Sequence, residues 1–204
     1  AMYFVVDQWL ARSRPVYNTL PAFRQMYIQK NMVKSFYLAI LTIYASMKVI
    51  LPIYQRGFWD TYTIHRLGAL YGSNDFMGLV CVDQLPKTTR IHHIISTILV
   101  FTSLSLDFQE SDIGQAMLVY TMASASAYIV NLHLAVRLLF NRGELVRMRY
   151  VAAAIYMTSC GCSWTWHLVW AFSRANFNIY HVLYFLLLGW IVRDDIILMQ
   201  WLSK

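Results

Sequence analysis

The sequence predicts an all-α fold, a polytopic membrane helix bundle with about six transmembrane helices, and three observations predict it. Hydrophobic residues make up 58% of the 204 residues and charged residues 13%, with a mean hydropathy of +0.45. Ordinary soluble domains sit near 45–50% and about 25%. The apolar residues are gathered into continuous runs, without the alternation that a membrane barrel needs. The basic residues, finally, fall almost wholly to one side of those runs. A membrane-spanning helix takes about 20 residues, so six use most of the chain and leave no room for a second, soluble domain. The expected organisation is an N-terminal interfacial segment, 1–32, followed by a six-span domain, 33–204.

The opening "AMYFVVDQWL" has neither the basic start nor the small-residue cleavage site of a secretory signal. It reads as an interfacial segment with Trp9 as its anchor. The spans are drawn at 33–54, 61–83, 89–106, 113–139, 148–170 and 178–200. The second is interrupted by "GALYGSND", which places two glycines and an acid inside it. The third is short, and the fourth is long enough to tilt or to project beyond the bilayer. Short connections make sequential helices neighbours in a compact bundle. No repeat of a solenoid's period is present.

With six spans, Arg12, Arg14, Arg24, Lys30 and Lys34 fall on one side, before the first span or at its start. Lys87, Arg90, Arg137, Arg142, Arg147, Arg149 and Lys204 join them there, while Arg56 and Arg174 stand alone on the other. Both termini are therefore expected on the cytosolic or matrix side, in the endoplasmic reticulum or the mitochondrial inner membrane. The net charge of +7 then reflects orientation and attraction to headgroups. It does not point to nucleic acid, since the basic residues flank spans and form no patch interleaved with base-stacking aromatics. Cys81, Cys160 and Cys162 lie in apolar segments, and no further cysteine or nearby histidine completes a tetrahedral set around Cys160 and Cys162. They read as buried small apolar residues, and no metal is expected.

"QLPKTTRIHHIISTILVF" places His92 and His93 a few residues inside an apolar run. At a rise of about 1.5 Å per residue, four helices bring polar groups to one layer, roughly 12 Å from the basic face. Those groups are Asp75 from the second span, His92 and His93 from the third, His133 and Arg137 from the fourth, and Arg193, Asp194 and Asp195 from the sixth. Buried ionisable groups are costly unless paired or hydrated, so they turn toward the bundle interior. The plain reading is mutual charge satisfaction, with Arg193 on an aspartate and Asp75 on a histidine; the functional reading is a site at Asp75, His92 and His93. A second group (His65, Arg66, His167 and His181) lies near the opposite face, where amphipathic anchoring is the simpler account. Haem ligation does not fit, since neither His92 nor His133 has a second histidine several turns away on its own helix.

These stretches resemble the TLC-domain membrane proteins, the group that includes the ceramide synthases. Tyr71 and Asp75 in "YGSNDFMGLV", then His92 and His93 in "KTTRIHHIISTILVF", stand where that family has a tyrosine, an aspartate and a His-His pair. "QKNMVKSFYLAI" is similar to the start of the family's first span and "ASAYIVNLHLAVRLL" to a later one, so the likeness covers roughly residues 30 to 200. It implies a lipid site in which His92 and His93 serve as base or nucleophile with Asp75, and Tyr71, His133, Arg137, Arg193 and Asp194 contact the lipid. It also implies acyl transfer of the ceramide-synthase type with acyl-CoA as co-substrate, and no resident cofactor. The chain departs from the family in the span after the histidine pair, where "YTMASASAYIV" carries no acid. Two expectations follow. One is a multi-pass protein that binds or processes a long-chain acyl lipid near His92 and His93. The alternative is a catalytically silent accessory subunit of a larger organelle-membrane complex, with membrane lipids and other membrane subunits as partners. A transporter, suggested by the glycine-broken second span, ranks third because no inverted repeat is present.

Overall fold

The computed structural model describes residues 2–82, 85–173 and 177–204, and these are all-helical, with no strand among them. Two short N-terminal helices, α1 (Met2–Ser13) and α2 (Pro15–Asn18), lead into α3 (Ala22–Ala45), a π-helical turn (Ser46–Ile50) and α4 (Leu51–Arg56). Then come α5 (Thr61–Cys81), α6 (Lys87–Ser103), α7 (Asp112–Ala125), α8 (Tyr128–Val136), α9 (Arg142–Phe172) and α10 (Ile179–Ser203).

Local sequence sets the ends. Pro52 has no N–H to give and its ring crowds the carbonyl one turn back, and the widened π turn directly before it absorbs that conflict. Gly57, at φ 63°, closes α4 in the left-handed conformation that a side chain disfavours. Asp60 caps α5 by accepting from the Thr63 amide at 3.1 Å, Ser111 caps α7 through Gly114, and Asn178 caps α10.

Contacts between the long helices close a circuit. α3 touches α5, α5 touches α6, α6 touches α10, α10 touches α9, α9 touches α8, and α8 packs back on α3. Sequential neighbours account for most of this circuit. The joints that close it, α6 with α10 and α3 with α8, are between helices far apart in sequence. Ser35 ties the α3–α8 joint by donating to the Tyr128 carbonyl at 2.7 Å.

Three features differ from the drawn spans. The 32/33 division falls inside α3, which begins at Ala22. α1, together with α2, packs against α3 and α8 through Leu10, Tyr17, Ile28 and Ala135. It is tethered there by Asp7, which accepts from Tyr17 and Gln29 at 2.6 and 2.7 Å. The glycines of "GALYGSND" do not break α5. A Cβ on Gly72 would lie 2.8 Å from Val100 Cγ1, so this glycine permits the close α5–α6 approach. The fourth span does break, at Ser126–Ala127, where Ser126 Oγ donates to the Ala123 carbonyl at 2.6 Å and competes with the helical ladder.

The outside of this circuit is apolar. Phe36, Ile40, Ile43 and Met47 on α3 and its π turn, Ile94, Ile98 and Phe101 on α6, and Leu183, Leu186 and Trp190 on α10 are all exposed. The inside holds Lys30, Lys34, Asp75, His93, His133, His167, His181 and Asp195, all buried. Among the described residues, two helical stretches, Ala22–Arg56 and Asp112–Val136, are long and apolar enough to cross a membrane.

Candidate functional site

Asp75 is the centre of the polar interior and is only 1% exposed. It sits on the face of α5 that meets α3 and α6. Its Oδ1 receives Lys34 Nζ from α3 at 2.5 Å and lies 3.0 Å from His93 Nδ1. Its Oδ2 accepts from Ser96 Oγ at 2.7 Å. The His93 approach is a charge contact rather than an aligned hydrogen bond, since neither ring nitrogen of His93 has a hydrogen-bond partner among the described residues. Ser96 follows His92 by four positions and His93 by three, so α6 presents all of them in adjacent rows.

His92 points elsewhere. Its Nδ1 lies 3.2 Å from Asp194 Oδ2 on α10, across the α6–α10 joint. The next residue, Asp195, accepts from Tyr156 of α9 at 2.7 Å and is buried. The adjacent histidines thus engage different acids on different helices, and their rings meet edge to face at 5.7 Å.

Between these groups lies a cavity of about 320 Å³. His92, His93 and Asp194 line one wall, Lys30 and Lys34 another, and Arg137 a third. Tyr71 also lines it and shares a 2.8 Å hydrogen bond with Ser124 of α7. On the other side of Tyr71 a narrow apolar slot of about 60 Å³ runs between Leu67, Leu99, Val100 and Tyr120. One chamber is therefore cationic, the next is greasy, and Tyr71 stands at their junction.

The predicted residues divide on this geometry. Asp75 lies behind the wall, joined to it through Lys34 and His93. Arg137 reaches the cavity, with its guanidinium 4.7 Å from the Trp201 ring and 5.7 Å from the Tyr27 ring. His133 is buried beside Trp201, 5.9 Å between ring centres, and does not line the cavity. Arg193 faces outward over Trp190 at 5.4 Å, and no ion pair joins it to an aspartate among the described residues. Cys162 is exposed, against the expectation of burial, whereas Cys160 is buried.

Two of the histidines near the opposite face are interior cross-links rather than anchors. His167 contacts the Ser163 and Ala116 carbonyls and the Tyr184 hydroxyl at 2.7, 3.2 and 2.9 Å. His181 lies 3.1 Å from Asp112 and completes the cap of α10. No group of three histidine, cysteine or carboxylate side chains converges as metal ligands would, among the described residues.

Lys30 and Lys34, expected among the basic residues at the start of the first span, turn inward and are 4% and 8% exposed. The signal was available: an acid such as Asp75 in an apolar helix demands a cation, and Lys30 and Lys34 stand one turn apart on one face. Comparisons with protein-family models, with curated proteins and with solved structures find no match to this chain.

Proposed function

We propose that the chain is a six-span membrane protein of TLC-like design that holds a long-chain acyl lipid, with the polar end at His92 and His93 and the tail toward the apolar slot. The observation that carries this reading is the junction at Tyr71 between the cationic cavity and the slot. An amphiphile needs that pairing, and each methylene transferred from water to such a slot contributes about 0.8 kcal/mol. The six spans are α3 with α4, α5, α6, α7 with α8, α9 and α10. The polar interior and apolar exterior support them, because a bilayer favours that arrangement and water opposes it. α5 and α6 carry the inward Asp75 and the histidine pair among their apolar residues, and α10, strongly apolar along its length, carries the adjacent charges Arg193, Asp194 and Asp195.

A second reading, acyl transfer, draws on one contact. With Nδ1 turned to Asp194, His92 has Nε2 left to take a proton from an attacking amine or hydroxyl, and Asp194 steadies the imidazolium. Against turnover by His93 stands its engagement in the Asp75–Lys34 cluster. A chain that holds lipid without turnover also suits an accessory subunit of an organelle-membrane complex.

The test is photo-crosslinking with a lipid whose acyl chain carries a diazirine. The reading predicts labelling of slot residues such as Leu99 and Val100. Labelling confined to outward residues such as Ile98 and Phe101 would overturn it.

A further inference from the structure

The polar end of the cavity is short of negative partners. Among the described residues its wall carries Lys30, Lys34 and Arg137 against one carboxylate, Asp194. Lys34 is engaged by Asp75, and Asp194 by His92. Lys30 is 4% exposed and makes no hydrogen bond or ion pair among the described residues. Two further donors lack partners in the same way, His93 Nε2 and Arg137 Nε, both buried. Lys30 Nζ and His93 Nε2 converge, lying 3.5 and 3.6 Å from where a Cβ on Gly78 would stand. The start of α6 adds to this. Its cap residue is Pro86, which supplies no side-chain acceptor, and the first-turn residues Thr88 and Thr89 line the cavity. Helix N-terminal amides without a cap favour an anion.

We propose that this end of the cavity is a seat for a negatively charged phosphate group, held by Lys30, Arg137, His93 and the first turn of α6. The inference rests on the lipid reading and deepens it: the ligand is an anionic phospholipid whose phosphate completes the unpaired donors. A buried ammonium without an anion is costly, and the half-buried Arg137 guanidinium, whose Nη2 reaches the Tyr27 hydroxyl at 3.5 Å, keeps further N–H groups for phosphate oxygens. Tyr27 and Arg137 also line the adjoining open groove, which gives a headgroup its route in.

The experiment is native mass spectrometry of the full chain reconstituted with phosphatidylglycerol or with diacylglycerol of identical chains, which lacks the phosphate, and with inorganic phosphate as a third probe. The proposal expects preferential retention of phosphatidylglycerol. It also expects that preference to fall by about tenfold in Lys30→Met and in Arg137→Gln, the range of one charge-assisted contact. Arg56→Gln, outside the cavity, leaves it unchanged. Lys30→Met removes an unpaired buried charge, so the lipid-free protein should be no less stable than the parent. A structural role alone would instead lower its melting temperature. Binding of inorganic phosphate that depends on Lys30, with no lipid retained, upholds the phosphate seat and overturns the lipid reading. Retention of both lipids alike overturns the phosphate seat and leaves the lipid reading standing. No retention of any probe overturns both.

Discussion

Replacing Asp75 with asparagine separates a polar cluster that organises the bundle from one that merely decorates it. The carboxylate is 1% exposed, pairs with Lys34, accepts from Ser96 and lies against His93, from two other helices. Asparagine keeps the size and loses the charge, which leaves Lys34 buried beside Lys30 without an anion. Stranding one member of a buried ion pair costs about 3–5 kcal/mol. For a chain of this length that corresponds to a loss of roughly 6–20 °C in melting temperature, at about 2–4 °C per kcal/mol. Lys34→Met is the gentler change, because Asp75 keeps Ser96 and His93; the expected loss is about 1–3 kcal/mol. The double variant Lys34→Met/Asp75→Asn removes both charges, and its loss should be smaller than that of Asp75→Asn alone. The assay is thermal unfolding in a mild detergent, read by helical circular dichroism. Additive losses across the cycle, or an Asp75→Asn protein as stable as the parent, would refute the pairing.

Other outcomes follow from individual contacts. Gly72→Ala forces a methyl against Val100 and should destabilise by about 1–3 kcal/mol, with Val100→Ala restoring much of it in the same unfolding assay. Tyr156→Phe leaves the buried Asp195 short of a donor and should cost about 1–3 kcal/mol. Asp60→Ala removes the α5 cap and should cost about 1 kcal/mol, seen as faster amide exchange in the first turn of α5. The Thr63 hydroxyl and amide hold the Asp60 carboxyl below its usual range. Its contribution is therefore present above about pH 4, the ordinary aspartate value, and is lost as pH falls through the lower folded one. The parent should show that extra fraying at low pH, and Asp60→Ala should not.

Depth along the helices was legible in the sequence, and lateral position was not. A fixed helical rise was enough to place Asp75, His92, His93, Arg137 and Asp194 in one layer, and the structure brings them around one cavity or directly behind its wall. Rotation about each helix axis decides the rest. It turns Arg193 outward and Asp194 inward although they are adjacent, and it sends His92 and His93 to different acids. The first span drawn from hydropathy starts at 33 and leaves Lys30 outside, whereas α3 begins at Ala22 and carries both Lys30 and Lys34 on the face that reaches Asp75. The break at Ser126 was hidden for a similar reason. Alanine and serine scarcely lower hydropathy, and the competing bond from Ser126 to the Ala123 carbonyl is local geometry.

The most direct test of a lipid-holding bundle is a density map of the protein taken in mild detergent from its own membrane. The account predicts an elongated density with its broad end among Lys30, His93 and Arg137 and its narrow end passing Tyr71 toward Leu99 and Tyr120. A cavity filled only by water, with lipid density confined to the outer faces of α3, α6 and α10, would contradict it.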